Sequence, residues 1–254
     1  MSALYRYKIT IEYDGTRFCG WQRQSHPLKG ELITVQGALS IAVFKLTKQE
    51  VLVEGAGRTD AGVHATGQVG HFDLDKYFPP LQLRDALNFY LQDQGVSVLE
   101  VEESDSTFHA RFSATVRTYN YCIINRRAPL VIDPERAWHV MAPLDVGAMQ
   151  EAAKELVGHY DFSAFRAAKC QGKNPVKTLT RFDVVAEKDR IVATIQSRSF
   201  LHHQVRIMMG TLKRVGEAKW TCEDVVKIRD SKQRHLSGPT APAYGLYLTG
   251  VSYD

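Results

Sequence analysis

The sequence has little of what marks membrane, secreted or metal-bound proteins. Cysteine is scarce: Cys19, Cys122, Cys170 and Cys222 stand far apart and form no CxxC pair. Neither a disulfide framework nor a set of closely spaced zinc ligands is expected. No apolar run approaches the length needed to cross a bilayer. The first residues, Met1-Ser2-Ala3-Leu4-Tyr5-Arg6-Tyr7-Lys8, contain no apolar signal core, so a cytoplasmic protein without a membrane partner is expected. A Walker loop, a GxSxG elbow and a GxGxxG fingerprint are all missing, which leaves ATP use, serine-type hydrolysis and hydride transfer without support. A strong excess of one charge is missing too. The net charge of +4 permits an anionic partner without requiring one.

What the chain does have is one pattern of elements that occurs twice. Tyr5, Tyr7, Ile9, Ile11 and Tyr13 alternate with Arg6, Lys8, Thr10 and Glu12, which predicts a half-buried strand ended by the turn chemistry of Asp14-Gly15. Thr34 is placed to cap a helix carrying Val35, Ala38, Leu39, Ala42, Val43 and Leu46 at helical spacing. Strands are expected at 51–53 and 69–72, a helix opened by Pro79-Pro80, and a strand at 96–101. The second half repeats β-α-β-β-α-β: a strand at 116–124, a helix at 144–157, and strands at 179–185 and 191–195. A helix follows at about 201–215, with a shorter one near 223–229 and a last strand at 244–253. The fold class expected is therefore α+β: two ferredoxin-like halves, residues 1–110 and 111–254, with a central mixed or antiparallel sheet and a cleft between the halves. Residues 22–33 and 164–177 are polar and predicted to be loops.

Two features carry chemistry. The loop Gly57-Arg58-Thr59-Asp60-Ala61-Gly62-Val63-His64 puts reactive side chains on a glycine-permissive segment between strands, although an aspartate there also suits a plain turn. Tyr119 and Tyr121 share a strand face with Arg117. Such tyrosines commonly fill a core, but a ring beside a guanidinium can also stack a base and hold its phosphate. His64, His71, His202 and His203 have no acidic or cysteine partner at ligand spacing, so they are expected to pack or hydrogen-bond. The histidine pair at 202–203, if helical, would splay apart.

The loop Gly57–Ala65 resembles the signature of TruA-type pseudouridine synthases, which modify the anticodon stem-loop of tRNA. Segments in matching order support the likeness: Glu12–Gly15, Gly20–Gln24, Thr34–Gln36, Phe108–Ala114, Arg117–Tyr121, Asp161–Phe165, Phe200–Arg206, Gly238–Pro242 and Gly245-Leu246. The resemblance implies a homodimer that uses no metal, nucleotide or other cofactor. It would isomerise uridine to pseudouridine at tRNA positions 38 to 40. It further implies that Asp60 is the nucleophile, Tyr119 the active-site tyrosine and Arg206 the arginine that pairs with the aspartate. An adjacent arginine favours the charged carboxylate that such a nucleophile requires. Arg58, His64, Arg23, Arg111 and Lys169 are expected substrate contacts, with Tyr119 stacking on the flipped uracil. The segment Ser25–Ile33 is longer than the family pattern and bears on tRNA docking. Two alternatives stand beside this reading. One is an RNA-binding module without catalysis. The other is a hydrolase using Asp60, disfavoured because glycosidases want two carboxylates.

Overall fold

The computed structural model describes residues 4–26, 30–132, 134–168 and 170–253. The chain divides into two compact units, Met1–Thr115 with Leu248–Asp254, and Val116–Tyr247.

In the first unit β1 (Tyr5–Tyr13) follows its alternation. Tyr7, Ile9, Ile11 and Tyr13 are buried, and of the apolar face Tyr5, at the end of the strand, is exposed. Asp14 ends the strand by accepting the Thr16 N–H, which caps a single 3-10 turn over Gly15–Arg17. Within the stretch predicted to be a loop, β2 (Ser25–His26) and β3 (Gly30–Glu31) form a small antiparallel ladder. Two-residue strands show no periodicity, which is why the polarity of the segment hid them. Helix α1 (Val35–Thr47) starts where Thr34 accepts the Gly37 N–H and stops at Lys48, whose φ of 61° is left-handed. The strand expected at 51–53 begins three residues further on, as β4 (Glu54–Gly55). The next, β5 (His64–Leu74), begins five residues earlier than its apolar stretch indicates. Helix α2 (Pro80–Leu91) opens on proline, as expected, and buries Leu83, Leu87 and Leu91 at i, i+4, i+8. After it comes β6 (Val96–Ser104). The antiparallel order β6-β1-β5-β4 is the ferredoxin-like order in which the first and third strands of the module lie side by side.

The second unit contains β7 (Ala114–Asn125, from Val116 onward) and β8 (Trp138–Val140), which runs parallel to β7. Helix α3 (Val146–Lys154) is capped by Asp145 and is shorter at both ends than predicted. Then come β9 (Gly158–Asp161), β10 (Val176–Glu187) and β11 (Arg190–Ser197). The polar turn between β10 and β11 has Lys188 at a φ of 55°. Between β9 and β10, Ser163–Phe165 forms a 3-10 turn with Ala164 and Phe165 fully buried, so the start of that predicted loop belongs to the core. Helices α4 (Gln204–Gly216) and α5 (Cys222–Ser231) follow. The strands lie in the order β7-β11-β10-β9 with antiparallel neighbours. The last strand, β12 (Leu246–Tyr253), passes into the first unit at Leu248. There Val251 and Tyr253, with Phe108, pack on Ala56, Val69 and Ala110. No helix among the described residues is long and apolar enough to cross a membrane.

Candidate active site

The Asp60 loop is held by groups that are distant in sequence. The Tyr13 hydroxyl, at the end of β1, meets Thr59 Oγ1 at 2.7 Å in a buried contact. Burial pushes the Tyr13 hydroxyl pKa up, only partly opposed by its Thr59 and Gln68 neighbours, so the group stays neutral. Gln68, buried on β5, donates to the Gly57 carbonyl at 2.8 Å. The Trp21 N–H donates to the Thr59 carbonyl at 3.1 Å, and the Val63 N–H to that of Asp60 at 3.2 Å. Gly20 makes the first of these approaches possible. Its φ is +101°, and a Cβ there would lie 2.7 Å from the Thr59 oxygen. Buried Gln36 on α1 ties the same region together. It accepts from the Arg23 N–H and the Gln22 amide and donates to the Val53 carbonyl at 2.9 Å. The result is a carboxylate, half-buried at Asp60, on a loop whose neighbouring backbone is fixed on both sides. Tyr13, Gln36, Thr59 and Gln68 escaped the reading of side-chain chemistry. Their only signal was membership of the matching segments, and Gln68 lacked even that.

Of the other expected contacts in this unit, Arg58, Arg23 and Arg111 are exposed. His64 is different. It is the first residue of β5, not part of the irregular loop; it is 2% exposed, and its Nδ1 accepts the Gly15 N–H at 3.1 Å. Lys169 lies outside the described residues.

His71 does acquire an acidic neighbour, which sequence spacing could not reveal. Pairing of β4 with β5 puts Glu54 opposite His71, and His109 joins them with one ligand atom each within 4.8 Å of one another. The hydrogen bonds argue against a cation there. Nδ1 of His71 accepts the Ala110 N–H at 3.3 Å, and Nδ1 of His109 accepts the Arg111 N–H at 3.1 Å. Each neutral ring therefore carries its proton on Nε2, and that of His109 faces Glu54 at 3.3 Å. A metal on Nε2 would need that lone pair and would force a proton toward a backbone N–H. Burial first, then the neighbouring His109 and Arg6, holds the His71 pKa below its usual value. The donor set suits a hydrogen-bonded brace.

In the second unit, Arg117, Tyr119, Tyr121 and Ile123 share a buried face of β7, as alternation predicts. The two tyrosines differ. Tyr121 is fully buried and donates to the Pro242 carbonyl at 2.8 Å, and burial raises its pKa although Arg206 opposes the rise. Tyr119 keeps 8% of its surface and packs edge-on against Phe200, ring centroids 5.2 Å apart. Arg117 is buried, with its guanidinium on the Arg198 carbonyl. Arg206 sits in the first turn of α4, half-buried, its Nε donating to the Ala241 carbonyl at 2.8 Å. Residues Gly238–Ala241 lie against α4 so closely that a Cβ at Gly210 would meet the Pro239 oxygen at 1.7 Å. His202 and His203 precede α4, and their rings lie 3.9 Å apart with 39° between planes. They do not splay, because the helix starts only after them.

A half-buried carboxylate on a loop whose neighbouring backbone is held by hydrogen bonds is a group of the kind that covalent catalysis uses. The family model for tRNA pseudouridine synthases matches residues 9–113 and 152–254. The tRNA pseudouridine synthase A of Paramagnetospirillum magneticum is 55% identical over 251 residues, covering 98% of this chain and 95% of that protein. The tRNA pseudouridine synthase A of Xanthobacter autotrophicus is 51% identical over 248 residues, covering 98% and 99%. That of Brucella anthropi is 50% identical over 250 residues, covering 98% of each. The chain belongs to the tRNA pseudouridine synthase family, and has its α+β fold. It is an isomerase that converts uridine in tRNA.

Proposed function

We propose that Asp60 is the nucleophile of this isomerisation and that the uridines converted lie at positions 38, 39 or 40 of the anticodon stem-loop. The observation that carries the proposal is the bracing of the Asp60 loop. Gln68 and Trp21 fix the backbone at Gly57 and Thr59, and Tyr13 holds the Thr59 hydroxyl, while the Asp60 carboxylate stays half-exposed. Holding a reacting group in its attack geometry spares the cost of orienting it at each turnover. In the reaction the N1–C1′ glycosidic bond breaks with the aspartate as covalent partner. The uracil then turns, a C5–C1′ bond forms and the bond to Asp60 is released, and the C5 proton leaves while N1 takes up a proton. Mass is unchanged and no oxidant or cofactor enters the balance.

Tyr119 and Arg206 complete the proposal in the roles that the resemblance implies. Edge packing on Phe200 supports Tyr119 as the tyrosine available to a base, in contrast to Tyr121, which is committed to the core. Arg58, Arg23 and Arg111 are proposed as exposed cations for the tRNA backbone. His64 is the expected contact we reassign, from touching substrate to positioning β1 against the loop, because its ring is buried on Gly15. A homodimer working without metal or cofactor in the cytoplasm remains part of the proposal. The test is an Asp60→Asn variant with an anticodon stem-loop substrate, read by chemical labelling of pseudouridine. Wild-type turnover by that variant would refute the assignment. Tritium release from C5-labelled uridine at positions 38–40, compared with other positions, tests the site of action.

A further inference from the structure

We propose that Phe112 is a stacking platform for an unpaired nucleobase of the tRNA, with Arg111 beside it for the adjoining phosphate. Single exposed apolar side chains are ordinary, so the 70% exposure of Phe112 means little alone. What sets it apart is the column of rings it ends. His71 is buried, at 4% exposure, and its ring lies 4.6 Å from that of His109. The His109 ring lies 4.3 Å from that of Phe112, at 43° between planes. Burial falls step by step along the column, and its last ring faces solvent. A further planar group laid on Phe112 would continue it.

The column is also rigid. His109 Nδ1 accepts the backbone N–H of Arg111 at 3.1 Å and that of Phe112 at 3.4 Å. Ser113 Oγ accepts the His109 N–H at 3.0 Å, and the Ser113 N–H returns to the His109 carbonyl at 2.9 Å. Glu54 holds the far side of the imidazole at 3.3 Å. An exposed ring fixed in this way has already lost the freedom that binding would otherwise cost. The Arg111 guanidinium lies 5.7 Å from the Phe112 ring. An exposed aromatic ring with a guanidinium close to it is an arrangement by which proteins grip unstacked bases of RNA and their phosphates. The proposal rests on tRNA as the substrate but not on the identity of the nucleophile.

The test measures affinity of the full chain for an unmodified tRNA transcript at fixed salt, without turnover. Phe112→Ala is expected to weaken binding ~10-fold, the effect of losing one stacked base, with an unchanged melting temperature. Phe112→Trp should restore binding and show indole emission quenched by added tRNA. Phe112→Leu should stay weak, because it keeps apolar bulk but has no π-face. Unchanged affinity in Phe112→Ala overturns the proposal, as does full rescue by leucine. A change in oligomer mass with affinity intact also overturns it, assigning the ring to contact between copies. Asp60→Asn data do not bear on any of these outcomes, so failure of one proposal is separable from failure of the other.

Discussion

Removing the Tyr13 hydroxyl offers the sharpest check on how the Asp60 loop is held. Tyr13 is 4% exposed and its oxygen meets Thr59 Oγ1 at 2.7 Å. Tyr13→Phe leaves the ring packing in place but strands a buried threonine hydroxyl, at a cost of about 1–3 kcal/mol. For a chain of this size each kcal/mol lowers the melting temperature by roughly 2–4 °C. Thr59→Val takes the same contact from the tyrosine, whose hydroxyl keeps Gln68 beside it, so it should cost less. The double variant removes both partners and keeps their shape, so it should be less destabilised than the sum of the singles. The expected coupling is about 1–2 kcal/mol. Activity should respond more steeply than stability, because Thr59 precedes Asp60 and a shift of about 1 Å at a reacting group costs roughly a hundredfold. The assay is a double-mutant cycle with denaturation midpoints and kcat/KM for pseudouridine formation measured on the same samples. Strictly additive effects, or singles that melt and turn over like wild type, would refute the bracing argument.

Three further predictions use other parts of the site. Gly20→Ala forces a Cβ to 2.7 Å from the Thr59 oxygen at a φ of +101°, and should destabilise by roughly 1–2 kcal/mol with a larger drop in kcat than in affinity. Tyr121→Phe loses a hydrogen bond to Pro242 and should cost about 1 kcal/mol of stability while leaving pseudouridine formation intact; Tyr119→Phe should do the reverse, and kinetics paired with thermal melts separate them. The lowered pKa of His71 means that the unfolded chain takes up a proton before the folded one as pH falls. Stability should therefore be fully present above the ordinary histidine pKa of ~6.5 and decline below it, and His71→Gln should flatten that part of the profile in denaturant melts.

Local periodicity and capping made most elements legible. Alternation placed β1 and the buried face of β7, Thr34 marked the start of α1, and proline opened α2. Such signals lie within one element, where i+2 or i+4 neighbours report the same environment. The short strands β2, β3, β4, β8 and β9 were not legible at their observed positions, because two to four residues contain no period. Their existence depends on a longer strand alongside, or for β2 and β3 on each other. The start of β5 at His64 had the same cause: pairing with β1, Tyr13 opposite Ala65, recruits residues that look like loop.

Motifs spread along the whole chain were enough to point to the family, and with it to the expected repeat of β-α-β-β-α-β and to the prominence of Asp60. What holds Asp60 in place, and which histidines act as braces, came from long-range contacts. Tyr13 and Thr59 are separated by 46 residues, and His71 and Ala110 by 39. Contacts at such separations follow from strand order and register, and neither is written in the spacing of the residues concerned. The loop that reads as a glycine-permissive turn is therefore a fixed one, because Gly20 on the facing segment lets the backbone approach Thr59 and Tyr13 and Gln68 reach it from β1 and β5.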